Sequence, residues 1–248
     1  MQRLLERLDR RLKWTLFAPQ PEGAKDTDDV AHGHPPLLQR ALQMRADVGL
    51  APEQPEPRHC FSAAGAWHLI ATDASGEVAG TVRLYVIDRQ REALQPTDIP
   101  HLSHVQFPSA EVQEQHLLVL QRLFDAKSDE RYFVAAGGMF TTPAWRGSGL
   151  AAVLGIAAIA MARLHNSRFS ASYTAVRGQA QDLFAQFGGR PPSLPTGQLL
   201  APFFCQHYGM ELQLLIFDSR APGPRAEAGV HLMSERLNAL LPRLEQAA

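Results

Sequence analysis

The chain has 248 residues, of which 45% are hydrophobic and 20% are charged, and its formal net charge is −1. This size and balance are typical of a globular protein with one large domain or two small ones, with enough chain to bury a sizeable core. A net charge this close to zero gives no general attraction to polyanions, so neither nucleic acid nor an anionic membrane is expected as a partner.

The first predicted element is a basic amphipathic helix within residues 1–17. Arginines surround four leucines that recur at helical spacing: Leu4, Leu5, Leu8 and Leu12. Such a helix could lie on a membrane surface, bind a partner, or dock on its own domain. Pro, Gly and polar residues then predict a linker up to residue 36, so we expect a domain that spans residues 37–248.

Residues 37–48 predict a helix, and residues 66–88 predict a β-hairpin with a compact Ser-Gly turn. Alternate residues of its second strand share one face, which leaves Arg83 on the other face, where it could line a cleft or meet solvent. Residues 89–130 follow as a long insertion, in which a polar loop precedes an amphipathic helix.

A strand is predicted over residues 131–142, and it contains the pair Gly137 and Gly138. Paired glycines inside a strand indicate a bulge, a bend, or the close approach of another backbone or a ligand. After a glycine-rich turn and an apolar helix, the pattern predicts a strand, a helix with a glycine C-cap, and a Pro/Gly loop over residues 190–202. A last strand and a terminal helix complete the predicted order.

The apolar segment over residues 150–162 is well short of the ~20 residues that span a bilayer, so we predict a buried helix and no transmembrane segment. Two cysteines, Cys60 and Cys205, are too few for a disulfide framework. No charged-then-apolar secretory signal opens the sequence, so a cytoplasmic protein is expected.

The sequence TTPAWRGSGLAA, residues 141–152, turns between the strand and the apolar helix. In such a turn, backbone N–H groups converge on an anion at the positive end of the helix dipole. The glycines also fit Gly-x-Gly-x-x-Ala, a dinucleotide-binding fingerprint, but residues 165–176 contain no acid for the ribose. A purely structural corner before a buried helix is a further alternative.

The segment MFTTPAWRGSGLAAVLG resembles the central motif of the GCN5-related N-acetyltransferase (GNAT) superfamily, with Arg146, Gly149 and Ala151 at its three defining positions. The order of elements over residues 37–218 also agrees. The resemblance implies an α/β (α+β) fold, in which helices flank a mixed, mostly antiparallel sheet. It also implies an N-acyltransferase that moves an acyl group from acyl-CoA to a primary amine of a small molecule.

The same resemblance assigns residues to the donor. The turn and the start of its helix would bind the pyrophosphate through Arg146, Gly147, Ser148, Gly149, Leu150 and Ala151. The end of the preceding strand would hold the pantetheine arm through Met139, Phe140 and Thr141.

Proton transfer is where this sequence departs from the family. Many members protonate the departing thiolate with a tyrosine after the motif, and two alignments put Phe184 or Cys205 at that position. Candidates for the base are Tyr132, Glu130, His104 and Tyr173. The pairs His32/His34 and His101/His104 have no nearby Cys or carboxylate that completes a metal site, so no metal is expected.

The insertion and the sequence GEVAGTVRLY resemble the long-chain acyl branch of the superfamily, which includes acyl-homoserine-lactone synthases and N-acyl amino acid synthases. Those relatives commonly take acyl groups from acyl carrier protein, lack the tyrosine acid, and carry an arginine after Gly-Thr, which points to Arg83 as a substrate contact. A carrier-protein donor and a non-catalytic ligand-sensing or interaction domain are therefore alternatives. A homodimer is a possible assembly of this protein.

Overall fold

The computed structural model describes residues 1–19, 35–47, 66–88, 105–125, 131–176 and 179–245. In this part of the chain, six helices flank one seven-stranded sheet. The helices are α1 (Gln2–Asp9), α2 (Pro36–Asp47), α3 (Ala110–Asp125), α4 (Leu150–Leu164), α5 (Gln179–Gln186) and α6 (Glu227–Glu245). The strands are β1 (Lys13–Phe17), β2 (Trp67–Thr72), β3 (Val78–Asp88), β4 (Tyr132–Thr141), β5 (Phe169–Ala175), β6 (Phe203–Cys205) and β7 (Met210–Asp218).

The sheet has the strand order β1-β2-β3-β4-β5-β7-β6. Neighbouring strands are antiparallel except β4 and β5, which run parallel because α4 crosses over between them. A mixed, mostly antiparallel sheet flanked by helices is the fold class that the sequence predicts, and the structure confirms it.

Helix α4 is the centre of the main hydrophobic core. Its side chains from Ala157 to Ala162 are almost completely buried, on every side of the helix. It contacts β3 and β4 on one side and α6 on the other, which explains why its sequence is apolar all round rather than amphipathic. The predicted buried helix is confirmed, and no helix within the described residues is long and apolar enough to cross a membrane.

The N-terminal segment differs from the predicted single helix. Helix α1 ends at Asp9, and residues 13–17 form β1, which pairs with β2 over its whole length. In β1 buried Trp14 and Leu16 alternate with more exposed neighbours, so the apolar period changes from helical to extended within a few residues. The predicted boundary at residue 36 therefore does not separate this strand from the sheet of the domain.

Helix α1 docks on its own domain. Its side chains Leu5 and Leu8 are buried in the main core, and Asp9 pairs with Arg236 of α6 and accepts a hydrogen bond of 3.0 Å from Trp14 Nε1. Of the three alternatives for this helix, the structure shows docking, because the leucines that would have faced a membrane or a partner are covered.

At the opposite edge lies β6, a strand that was not predicted from the sequence. This strand has three residues and pairs with β7 directly after the loop predicted over residues 190–202. A strand this short shows no measurable alternation. The remaining predicted elements, including the hairpin of β2 and β3 and the helix in the insertion, are confirmed with boundaries shifted by a few residues.

Candidate functional site

The two central parallel strands separate soon after they pair. Strands β4 and β5 share two register pairs, Val134 with Ser170 and Ala135 with Ala171. Beyond Ala135, the edge of β4 that faces β5 has no strand beside it in the described part of the sheet. This open edge leaves room beside β4 for a ligand that forms strand-like hydrogen bonds.

A bulge in β4 lies where this separation opens. Thr81 of β3 pairs with Phe140, while Arg83 pairs with Gly137, so β4 has one more residue than β3 over this interval. Gly138 has φ 55°, in the left-handed region that favours glycine. The bulge expected from the paired glycines is confirmed, and a bulged strand bends and twists, which suits the divergence of β4 from β5.

A cavity of about 280 Å³ occupies the space between the diverging strands. Residues 136–139 of β4, residues 172–175 of β5 and the α4 residues Leu154, Gly155 and Ala158 line it. Most of its surface is apolar, and Phe184 of α5 is among the residues that line it. Such a cavity can hold a hydrophobic chain, and the open edge of β4 beside it can hold a chain of amides.

Two buried arginines meet the bulge. Arg83 lines the cavity with 4% of its surface exposed, and its guanidinium lies 5.8 Å from the centre of the Tyr85 ring. Arg83 therefore lines a cleft and does not face solvent, which were the two alternatives for it. Arg45 of α2 is 3% exposed, and its guanidinium packs against Gly138, where a Cβ atom would collide with it. Arg45 was not predicted from the sequence, because its approach to β4 is a tertiary contact.

The glycine-rich turn connects β4 to α4 through a short 3₁₀ helix, Pro143–Trp145. Gly147 and Gly149 have φ 73° and φ 90°, so both need the freedom of glycine. The Ser148 hydroxyl donates to the carbonyl of Trp145 at 2.6 Å and accepts from the N–H of Leu150 at 3.2 Å, which fixes the turn.

Several backbone N–H groups of this turn point to no acceptor. Within the described residues, the N–H groups of Gly147, Gly149 and Ala151 have no hydrogen-bond partner. They surround the N-terminus of α4, where the helix dipole adds partial positive charge. Leu154, one helical turn further along α4, lines the cavity. The turn therefore offers an anion site next to an apolar cavity.

Helix α1 braces this turn from outside. The Arg7 guanidinium donates to the carbonyl of Ser148 at 2.9 Å, and the Leu4 side chain lies against Gly149. The Arg11 guanidinium lies 4.6 Å from the centre of the Trp145 ring. Arg7, Arg11 and Arg146 are all exposed, so they add positive charge around the anion site.

Among the candidates for proton transfer that the structure describes, Tyr173 of β5 lines the cavity. Its hydroxyl oxygen lies 2.7 Å from Nδ1 of His116 in α3. Burial, with a further contribution from Cys205, raises the pKa of Tyr173 well above its usual value. His116 is fully buried, and burial lowers its pKa to about 4. His116 was not predicted from the sequence, where it looks like any other polar residue of an amphipathic helix.

Of the other candidates, only Tyr132 is within the described residues, and it lies away from the cavity. Tyr132 begins β4, ~20 Å along the strand from the bulge, and its ring packs edge-on against His165 at 5.5 Å, so it does not line the cavity. Glu130 and His104 lie outside the described residues. Of the two residues aligned with the family's tyrosine, Phe184 lines the cavity, whereas Cys205 is buried and its sulfur accepts from the N–H of Gln106 at 3.4 Å.

The β4 residues that were expected to bind the acyl donor have side chains on both faces of the sheet. Met139 lines the cavity, while the Phe140 side chain packs in a separate core cluster with Leu38 and Ile70. Phe140 can therefore contribute only its backbone to a ligand in the cleft. No group of three or more His, Cys, Asp or Glu side chains within the described residues could hold a metal, and the two predicted His pairs lie outside those residues.

The chain matches no model of a known protein family and no curated protein sequence. Among solved structures, it is similar to BjaI, a CoA-dependent acyl-homoserine lactone synthase in complex with MTA, with a TM-score of 0.50 and 13% identity over 92% of this chain and 90% of that chain. It is also similar to FeeM, an N-acyl amino acid synthase from uncultured soil microbes, with a TM-score of 0.47 and 10% identity over 88% of this chain and 97% of that chain. Arabidopsis thaliana NAA60 in complex with acetyl-CoA gives a TM-score of 0.47 and 12% identity over 83% of this chain and 99% of that chain. At 13% identity the likeness to BjaI shows the fold alone, and the chain has the GNAT-like α/β fold expected from its sequence.

Proposed function

We propose that this GNAT-like protein is an N-acyltransferase that moves an acyl group from acyl-CoA to a primary amine of a small molecule. One observation carries the proposal: the unpaired N–H groups of the turn lie at the start of α4, beside an apolar cavity between two diverging strands. A thioester donor has a pyrophosphate, an amide-containing arm and an acyl chain, and each part has a matching surface here.

The donor would bind along this surface from the turn inward. The pyrophosphate would accept hydrogen bonds from Gly147, Gly149 and Ala151, with Ser148 and Leu150 holding the turn in shape and Arg146 beside it. The pantetheine arm would pair with the open edge of β4 from Met139 to Thr141. The acyl chain would enter the apolar cavity, where burial of each CH₂ group stabilises the complex by roughly 0.8 kcal/mol.

The reaction would be a direct transfer. The amine nitrogen attacks the thioester carbonyl carbon, the C–S bond then breaks, the nitrogen loses one proton, and the departing thiolate gains one. Backbone N–H groups at the open edge of β4 would stabilise the negative charge that develops on the carbonyl oxygen. Because a thiol has a pKa near 8.5, its thiolate is a good leaving group without a strong acid.

Two side chains at the cavity have roles in this proposal. Tyr173 is the candidate for proton transfer because it lines the cavity and carries a hydroxyl group. Arg83 is the candidate contact for the acceptor, since a buried guanidinium at the bulge favours an acceptor that carries a negative group.

Acylated carrier protein is a second candidate donor. The exposed arginines Arg7, Arg11 and Arg146 surround the entrance of the turn, and a positive rim of this kind attracts an acidic protein as well as a nucleotide. The cytoplasmic location and the homodimer stay predictions of the sequence.

Donor binding can be tested with a matched pair of variants at Ala151, which is partly exposed in the first turn of α4. Ala151→Glu places a carboxylate where the helix dipole tolerates it, so the fold is kept, but the carboxylate repels a pyrophosphate. Ala151→Gln has nearly the same size and no charge. In calorimetric titration with a long-chain acyl-CoA, we expect the Glu variant to bind at least ~10-fold more weakly than the Gln variant. Equal affinities would contradict the pyrophosphate assignment.

Two further measurements identify the acyl donor and test the acyl transfer separately. Thermal shift with CoA, acyl-CoA and acylated carrier protein shows which donor stabilises the fold, and failure of all three would overturn the proposal. Release of free thiol in the presence of a panel of primary amines tests the transfer. Stabilisation by a donor without thiol release would favour a non-catalytic ligand sensor.

A further inference from the structure

Two perpendicular aromatic rings line the cavity, and each of them packs against a glycine. The ring centres of Phe184 in α5 and Phe217 in β7 lie 5.9 Å apart, at an interplanar angle of 85°. A Cβ atom on Gly155 of α4 would lie 2.6 Å from Cε1 of Phe184, and one on Gly189 would lie 2.6 Å from Cε1 of Phe217. Because non-bonded carbon atoms pack at about 3.5–4.0 Å, each ring can hold its position only beside a glycine.

Gly155 is not explained by the helix that contains it. Helix α4 has the sequence LAAVLGIAAIAMARL, with six alanines and one glycine. A glycine in a helix interior is less favourable than an alanine, because it loses more conformational freedom on folding. Gly155 lines the cavity, and its missing side chain leaves room for the Phe184 ring against the helix backbone. The glycine therefore meets a need of the cavity and not of the helix.

The two rings and the polar side chains of the cavity lie on opposite faces of the sheet. Phe184 and Phe217 pack in the main core together with Leu84 of β3. Arg83 and Tyr85, the neighbours of Leu84 in β3, line the cavity from the other face, because side chains alternate along a strand. The cavity therefore has an aromatic side, suited to an apolar chain, and a polar side, suited to the acceptor.

We propose that the Phe184 ring, held against Gly155, sets the length of the acyl chain that the cavity accepts. This inference rests on the proposed acyl transfer from a thioester donor. The apolar chain of the donor lies on the aromatic side of the cavity and extends until it meets the Phe184 ring. Phe184 aligns with the tyrosine of the family but has no proton to donate, so what it contributes at this position is the shape of the cavity.

Packing holds the Phe184 ring in its position. Phe184 is 8% exposed, and besides Gly155 and Phe217 it contacts Phe187, whose ring centre lies 6.4 Å away. Close-packed side chains resist displacement, so a chain that reaches the ring is stopped by it and does not push it aside. Each CH₂ group added before that point should raise the affinity by about fourfold, and a CH₂ group beyond it should add nothing or weaken binding.

Three variants test this inference in calorimetric titrations with free CoA and with saturated acyl-CoA esters of increasing chain length. Phe184→Leu removes the outer carbon atoms of the ring, so the chain length of tightest binding should increase by about two carbon atoms. Gly155→Ala places a methyl group behind the ring and moves it into the cavity, so this length should decrease by about one or two carbon atoms. Phe187→Leu is the matched control, since Phe187 is 1% exposed in the same core and is not among the residues that line the cavity.

The outcomes distinguish this inference from the proposed function. The same chain-length preference in Phe184→Leu, Gly155→Ala and the unmodified protein, or an equal shift in Phe187→Leu, would overturn the inference alone. An equal change in affinity for free CoA and every acyl-CoA would mean that Phe184 contacts the pantetheine arm, which also overturns it. If Phe184→Leu does not fold, Gly155→Ala tests the inference alone, because alanine favours the helix. Failure of the unmodified protein to bind any acyl-CoA would instead overturn the proposed function, and the inference with it.

Discussion

At the bulge of β4, the absence of a side chain on Gly138 allows the Arg45 guanidinium to reach the strand. Gly137 beside it has open space around its Cβ position and no unusual φ. The two glycines therefore have different roles, although they look equivalent in the sequence. Gly138 meets two needs, a left-handed backbone and room for a buried cation.

This difference predicts unequal costs for the same substitution. Gly138→Ala should lower the free energy of unfolding by roughly 1–3 kcal/mol, because the new methyl group meets Arg45 and the residue is strained at positive φ. Gly137→Ala, the matched control, should change it by less than about 1 kcal/mol. Urea unfolding of the two variants measures both values. Equal effects would mean that the contact with Arg45 does not constrain the strand.

The neutral state of His116 also has a consequence for stability. Burial lowers its pKa to about 4, whereas a histidine in the unfolded chain titrates near 6.5. As the pH falls through this window, the unfolded chain takes up the proton first, so protonation favours unfolding. The corresponding loss of stability is roughly 2–3 kcal/mol between pH 6.5 and pH 4.

His116→Asn removes a group that titrates in this window. Its free energy of unfolding in urea should therefore fall less from pH 7 to pH 4.5 than that of the unmodified protein, even if it is lower at pH 7. Parallel pH dependences of the two proteins would show that His116 is not held neutral by the fold.

Among the elements, α1 has a role that its sequence does not reveal. It covers core leucines like an ordinary surface helix, but it also contacts the turn that precedes α4 through Leu4 and Arg7. The hydrogen bond from Arg7 to Ser148 joins residues that are 141 positions apart. The shape of the proposed anion site therefore depends on the first turns of the chain.

Arg7→Ala should weaken binding of acyl-CoA by about 3- to 10-fold, because the turn loses a hydrogen bond from a charged donor as well as a nearby positive charge. Arg3→Ala removes the same charge from the same helix, and within the described residues Arg3 makes no hydrogen bond to the turn, unlike Arg7. Calorimetric titration of both variants with acyl-CoA at two ionic strengths distinguishes the hydrogen bond that holds the turn from the general attraction of positive charge for acyl-CoA. Similar losses in both would show that only the charge matters.

For the molecule as a whole, the sequence predicts what depends on local patterns. The apolar run of α4, the alternation in β3 and the glycine pair in β4 each follow from a few neighbouring residues, and the structure confirms all three. Strand β1 was missed because its alternation follows directly on a helical leucine pattern, and β6 because it has three residues.

The site was less predictable than the fold for a physical reason. Contacts such as His116 with Tyr173, or Arg45 with Gly138, join residues that are distant in the sequence and adjacent only after folding. A histidine on an amphipathic helix gives no sign of the hydroxyl that it will meet. The sequence singles out Arg83 because its neighbours resemble a known pattern, and its place at the cavity agrees with that, whereas Arg45 has no such pattern around it.

The two register pairs between β4 and β5 have one more consequence. They form a short seam between a four-stranded half of the sheet, β1 to β4, and a three-stranded half, β5 to β7. Across such a seam the halves are held together mainly by the covalent crossover through α4 and by side-chain packing. A donor that lay in the gap would act as a temporary extra strand, so hydrogen bonding across the seam would extend beyond the two register pairs only when the protein is loaded.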